Sequence, residues 1–444
     1  MSNMRTLNML RRGAAVALLA GAVSLAGCRD ALTVSNPKVI ETADLANAQL
    51  INTLLNSAVF AVNTNYSEFA WYSAIITDEA LNATNDYRSG ELSQRIVELA
   101  QGNVGPYPLL QFTRATADTS ASLIRTLVKQ PAGDLRLARA LAYAGYGYVF
   151  LAEFTCTAPI NGGALVTDDS LEKIALARFK EAITDAGPAD NGSTKLVADT
   201  ILALANVGAA RASLNLGDKA SAIAYASAVP ANFVIWADYI AAPPALNNTL
   251  WGRISGQNKQ LGVHPLMQNL NDPRVRYVTK AVLGHNQLTL LNVPYSPRTF
   301  SSFTLVDSTP LKADSKIEIA SGLEARYIRA EAEGNTPLTV ALVNERRAFG
   351  NEPTLGATDD ATVMAALREE KRRDFYLGAR RLGDLRRYKA QGVGDFFPSG
   401  PHPTAQWGLY GSATCYIITQ DEMNSNLNVA NYVPPATRPP GYSP

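Results

Sequence analysis

A chain of 444 residues, 47% hydrophobic and 18% charged, can build two or three compact units or one large repeat-like superhelix, and is too apolar to be disordered. Its 40 Lys and Arg against 39 Asp and Glu give a net charge of +1, which supplies no field to hold nucleic acid. Three His and three Cys, with no C-x-x-C or H-E-x-x-H, exclude the common zinc sites, and neither metal nor cofactor is expected.

Arg5, Arg11 and Arg12 precede an Ala-rich apolar run over residues 13–23, which is short for a bilayer span and has the order of a secretory signal. The run ends in Leu25-Ala26-Gly27-Cys28, small residues before a cysteine, which resembles the bacterial lipobox. The alternative is an ordinary signal peptide with a coincidental cysteine; the scarcity of Cys and its place at the end of the run favour a lipoprotein. Residues 1–27 are then the signal peptide, Cys28 the acylated N-terminus and residues 28–45 a lipid anchor and tether. Several acyl chains on Cys28 give stable membrane attachment. Removal of residues 1–27 leaves 37 basic and 39 acidic residues, a charge of −2. Cys156 and Cys415 then lie in an oxidising setting, where they form either a disulfide or a buried pair of free thiols.

The pattern beyond the tether is helical. Trp71-Tyr72 sits in an early helix ending near Asp78 and reads as core, and Tyr87 lies in the polar loop over residues 82–90 that follows. Residues 135–153 place Ala138, Leu141, Ala142, Gly145, Val149 and Ala152 on one face and Tyr143, Tyr146 and Phe150 on a second, the pattern of a helix buried on more than one side. Asp169 or Ser170 caps a helix carrying Leu171, Ile174, Ala175, Phe179, Ala182, Ile183 and Ala186, which Gly187-Pro188 stops. Residues 200–229 form two closely packed helices around Leu216-Gly217-Asp218, with Ala205, Gly208, Ala209, Ala210 and Ala212 at the crossing. Small residues there suit a tetratricopeptide-type pair, although the strict repeat signature is absent.

Residues 230–315 are rich in Asn, Pro, Gly and Ser, with Trp236, Trp251, Tyr277 and Tyr295 among them, and read as loop-rich surface structure. An Ala-rich helix follows over residues 317–333, broken at Gly334-Asn335 before another over 338–349. Strand signal is confined to pieces such as residues 416–418, and the tail over 424–444 wraps over the body or frays. Among catalytic signatures, no G-x-S-x-G or phosphate loop occurs. The adjacent acids Asp78-Glu79 and Asp359-Asp360 read as helix-start or surface residues, and no enzyme is expected. In the basic run after residue 368, Glu369 and Arg373 form an i, i+4 pair and Asp384 can meet Arg387 or Tyr388. That run lacks the interleaved aromatics of a nucleic-acid site.

Glu370-Lys371-Arg372-Arg373-Asp374-Phe375-Tyr376-Leu377, with Arg381 and Asp384-Leu385-Arg386-Arg387, resembles the C-terminal signature of the SusD/RagB family of nutrient-binding outer-membrane lipoproteins. Gly378-Ala379 stands where that family carries Glu-Gly, which puts one family ion pair in doubt. Residues 137–154 with Pro159-Ile160, the 200–229 pair, residues 344–348, and residues 416–422 with Asn426 are similar to further family elements in the same order. The resemblance implies a mainly α, tetratricopeptide-like helical-pair superhelix over residues 46–426, with a loop-rich insertion at about 230–316 and a Pro/Asn-rich tail over 427–444. It implies a cell-surface protein, lipid-anchored in the outer membrane, that captures a glycan or peptide nutrient. The nutrient passes to a SusC-like TonB-dependent barrel, on which the protein acts as a lid.

Sugar recognition needs flat aromatic faces and planar polar groups. Trp251 beside Asn247, Asn248 and Arg253 is the best local match, with Trp236, Tyr295 and Tyr87 as further candidates; for each aromatic, loop packing is the competing role. The alternatives to nutrient binding are a helical adaptor lipoprotein that binds proteins and a lipid-anchored glycan hydrolase.

Overall fold

The computed structural model describes residues 50–84, 86–99, 105–254, 260–275, 277–283, 290–294, 311–356, 359–404, 407–440 and 442. Cys28, with the signal and tether, and Tyr295 lie outside the described residues.

Helices α1 (Ile51–Ile75), α2 (Tyr87–Ser93), α3 (Tyr107–Leu127), α4 (Leu135–Phe154), α5 (Asp168–Ala186), α6 (Lys195–Asn215) and α7 (Lys219–Ser227) make the first half. Side-chain caps fix where many helices of the fold begin. Asp134 accepts from the Arg136 and Leu137 amides, Thr167 from Ser170 and Asp218 from Ser221. The cap of α5 is therefore Thr167, ahead of the expected Asp169 or Ser170, because its hydroxyl reaches the N–H three residues on. Gly217, at φ 76°, makes the turn between α6 and α7 in a conformation that favours glycine.

These helices pack serially, α1 on α3, α3 on α4, α4 on α5, α5 on α6 and α6 on α7, so each covers the apolar face its neighbour cannot bury alone. Residues 140–154 of α4 are buried throughout, as its two apolar stripes require. Phe179 of α5 is the close-packing point. Its ring occupies the space that a Cβ at either Gly145 of α4 or Gly208 of α6 would need. The helical stretch Gly192–Asn215 is apolar and long enough to cross a membrane, but it is 72% buried inside the fold, as a core helix is.

After α7 the chain forms β4 (Val234–Ala237) and the short α8 (Thr249–Ile254), then α9 (Gly322–Glu333), α10 (Pro337–Phe349), α11 (Asp360–Asp374), α12 (Arg381–Ala390) and α13 (Gln420–Ser425). The other strands are β1 (Ala80–Asn82), β2 (Thr157–Pro159), β3 (Leu165–Thr167), β5 (Leu261–Val263), β6 (Tyr277–Leu283), β7 (Leu290–Pro294) and β8 (Ile317–Ser321). They form four antiparallel pairs, β1 with β5, β2 with β3, β4 with β8 and β6 with β7. The expected helix over 317–333 is thus a strand followed by a helix. Ile317 and Ser321 pair with Ala237 and Val234, and Ser321 then caps α9 by accepting from the Glu324 amide. Residues 416–418 contribute one parallel bridge, Thr155 to Tyr416, in place of a strand.

Beside that bridge, Cys156 and Cys415 form a disulfide with Cα atoms 5.1 Å apart. The tail wraps the body. The Val97 amide donates to the Thr437 hydroxyl at 3.0 Å, and the Ser412 amide to the Thr437 carbonyl at 2.9 Å.

The charged segment over residues 370–387 lies inside this fold as its keystone. Arg381 grips Asp78 through two 2.7 Å bonds, and Arg372 reaches the same carboxylate at 3.1 Å. Arg380 joins Glu318 and Glu324, at 3.1 and 2.7 Å, and Arg211 of α6 joins Glu153 and Glu324. Lys371 and Arg387 share Asp384 and Glu331. Glu369 and Arg373 make the expected pair at 2.7 Å. The chain between α11 and α12 turns through positive φ at Leu377 and Ala379. Two long-range bonds hold that turn, Leu377 N–H to Glu79 Oε1 at 2.9 Å and Tyr66 O–H to the Gly378 carbonyl at 2.9 Å.

Candidate ligand-binding site

The region around Trp251 is built from α8 and the face of α1 beneath it. Leu250 and Ile254, four apart on α8, are fully buried. Ser67 of α1 accepts from the Thr249 amide at 3.1 Å, and its hydroxyl lies 2.7 Å from that of Thr249. Asn248 begins the helix by accepting from the Trp251 amide at 3.1 Å, while its own Nδ2 donates to the Ser315 carbonyl at 2.7 Å. Trp251 is left half-buried on a helix fixed at both its cap and its inner face.

Arg253 points back into the protein. Its guanidinium stacks 3.6 Å from the centre of the Trp71 ring, contacts Glu68 at 3.2 Å and donates to Gln260 at 2.6 Å. Asn248 is fully buried with both ends of its amide engaged, so it positions Trp251 and offers no face to a ligand. Asn247 donates to the Ile240 carbonyl at 2.7 Å. Of this group, Trp251 retains an accessible face. Glu68 and Trp71, which hold Arg253, are invisible as partners in the sequence because they lie far upstream; Trp71 is buried, as its helical setting suggested.

The β1–β5 pair brings the second candidate region alongside. Asn82 lies opposite Leu261, and the Ala83 amide donates to the Gln260 carbonyl at 2.8 Å. The loop leading to Tyr87 and the segment leaving α8 are thereby adjacent. Tyr87 is 41% exposed at the start of α2, with its hydroxyl 3.2 Å from that of Tyr442 in the wrapping tail. Trp236 sits apart on β4, half-buried beside a β-bulge and opposite Glu318. It is linked to α8 through the segment leading into β8, which also receives Asn248. The cavity between Leu250, Glu318 and Arg380 is about 20 Å³, room for about one water molecule.

The acids that a hydrolase reading would use have structural roles. Asp78 and Glu79 are 3% and 1% exposed, which corrects their expected place at a helix start or on the surface. Burial pushes Glu79 up to about 8 despite the Leu377 amide, whereas Arg381 and Arg372 outweigh burial at Asp78 and hold it well below the usual carboxylate range. Such divergence marks many acid–base pairs, but here it sits within an ion-paired core. Asp359 caps α11 by accepting from the Thr362 amide. Among the described residues, no group of three or more His, Cys, Asp or Glu is placed to hold a metal ion.

No protein-family model and no curated protein matches the sequence. Solved structures do match the fold. A SusD superfamily protein from Bacteroides vulgatus superposes with a TM-score of 0.63 at 14% identity, over 90% of this chain and 100% of that one. A SusD-like carbohydrate-binding protein from the same species gives 0.61 at 14% identity, over 86% and 97%. A laminarin-binding SusD-like protein gives 0.59 at 12% identity, over 83% and 98%.

Proposed function

From the SusD-like fold of this chain, we propose that it is a surface lipoprotein of the SusD/RagB kind that binds a glycan and delivers it to a SusC-like TonB-dependent barrel. The observation that carries this reading is the superposition over nearly the whole of both chains, as in the 90% and 100% coverage of one SusD superfamily structure. The resembling segment over residues 370–387 supports it, because its charged residues form the buried keystone that joins the helices. The Cys156–Cys415 disulfide suits an exported protein. Residues 1–27 are the signal peptide and Cys28 the lipid-bearing residue that tethers the folded body to the outer membrane. No catalytic step is part of this role.

A mild-detergent pull-down of the tagged protein from its native outer membrane, read by mass spectrometry of co-purified proteins and small molecules, tests the proposal. Recovery of a large TonB-dependent barrel with retained oligosaccharide is expected. A complex of other proteins with no barrel and no ligand would favour the adaptor reading, and turnover of glycans by the purified protein would favour a hydrolase.

Two variants sharpen the test. Trp251→Ala is expected to weaken glycan binding by on the order of 1 kcal/mol or more, without unfolding, because a half-buried indole face is lost from a rigid helix. Calorimetric titration with the retained oligosaccharide measures this, and unchanged affinity would make Trp251 a packing residue. Cys28→Ser is expected to leave the fold intact and release the protein from membranes, as fractionation would detect. Continued pelleting with membranes would contradict acylation at Cys28.

A further inference from the structure

A second cleft, of about 250 Å³, lies where α4, α5, α6 and α12 meet, away from α8. Its walls include Ala152, Asp168, Glu172, Asn215, Arg386 and Lys389. The basic residues there are each engaged. Arg386 pairs with Asp168 at 2.8 Å and donates to the Ala152 carbonyl, and Lys389 meets Asp395 at 2.7 Å. Arg387 bonds Asp384 at 2.9 Å and also meets Glu331. The acidic side is in excess. Glu153 has Arg211 and the Asn215 amide, but the hydrogen bond to Glu172 among the described residues comes from Asn215, whose Nδ2 donates to Oε1 at 2.8 Å. Glu172 is 4% exposed, and its Oε2 has no hydrogen-bond partner among the described residues. Asp169 stands exposed at the same wall with no ion pair among the described residues.

We propose that this cleft binds a small organic cation carrying a primary ammonium, which donates a hydrogen bond to Glu172 Oε2 while Asp169 draws it to the mouth. An orphaned carboxylate oxygen in a buried wall carries a desolvation cost that an N–H donor removes, and a cationic donor removes it best. A divalent metal lacks the ligand set, since no cluster of three such side chains is placed to hold one among the described residues. A sugar ring would find no aromatic face among the lining residues. The volume suits an alkylammonium of a few carbons.

Burial, reinforced by Glu153, pushes Glu172 well above the usual carboxylate range, with Asn215, Arg211 and Arg386 opposing. Binding of a cation to the ionised carboxylate therefore releases a proton, and affinity rises with pH.

The test is isothermal titration of the purified full chain with n-butylammonium chloride, with n-butanol and tetramethylammonium chloride as controls. Saturable binding of butylammonium alone is expected, tightening as pH rises. Glu172→Gln, which preserves size and the Asn215 contact, is expected to weaken it by at least about tenfold. Asp169→Lys, exposed in the first turn of α5, where loss of an acid weakens the helix N-terminus only slightly, is expected to weaken it as well and stands in should Glu172→Gln fail to fold. Equal binding of butanol, undiminished binding by either variant, or no saturable heat at all would overturn the proposal. The outcome is independent of glycan binding at Trp251, so neither result bears on the other.

Discussion

Arg274→Met is expected to destabilise the protein by about 3–5 kcal/mol, measured as a lowered midpoint of urea unfolding at neutral pH. The Arg274 side chain is completely buried and reaches Asp272 at 2.6 Å, Glu370 at 2.7 Å and Asp374 at 3.4 Å. Its guanidinium fills the space beside Gly350 where a Cβ would stand. Methionine keeps much of the volume and removes the charge that these three carboxylates share with Glu352, at 3.8 Å. Arg346 remains on Asp374 at 2.8 Å and Arg373 lies 3.3 Å from Asp272, but among the described residues the ion pair left to Glu370 is the long one with Arg347, at 3.9 Å.

The pH dependence separates lost charge from lost packing. Burial already pushes Glu370 up to about 7 with Arg274 in place. Without the guanidinium its folded pKa rises further above the unfolded value, so the folded variant holds a proton that the unfolded chain releases. Stability of the variant is then fully present below the unfolded pKa and falls as pH rises through the folded one. The deficit should be smallest in mild acid and largest above neutrality. A deficit that does not change with pH would mean that the loss is one of packing.

Cys156→Ser with Cys415→Ser is expected to lower stability by about 2–5 kcal/mol while leaving the native structure in place. The bond spans a sequence separation of 259, so its loss frees a long loop in the unfolded chain. In the folded state the neighbouring contacts remain. Tyr416 is 1% exposed, its hydroxyl donates to the Tyr72 carbonyl at 2.8 Å, and its amide donates to the Phe154 carbonyl at 2.7 Å. Reduction of the unmodified protein should reproduce the lowered denaturation midpoint, with ligand affinity retained. A midpoint insensitive to both treatments would show that the disulfide adds nothing to these contacts.

The sequence by itself determined where most helices lie and that they pack in close pairs. Apolar spacing over residues 135–153, the stop at Gly187-Pro188 and the Gly217-Asp218 turn are local signals, and helices are local structures. It also supplied the order of family-like segments and the place of Cys28. Strand positions were less legible. Residues 317–321 carry the composition of the helix they precede, and their extended form depends on pairing with β4, about eighty residues earlier. Asp78 and Glu79 read as surface acids because their partners, Arg381 and the Leu377 amide, arrive from the far end of the chain.

For the site, the sequence could offer aromatic and planar polar residues but could not rank them. Trp251 and Arg253 share one short helix, yet burial turns the arginine inward onto Trp71 and leaves the indole half-exposed. The Glu172 cleft was decided wholly by tertiary structure. Whether a carboxylate finds a guanidinium, an amide or nothing depends on which helices meet, and that geometry is fixed by the sum of packing contacts rather than by any local pattern.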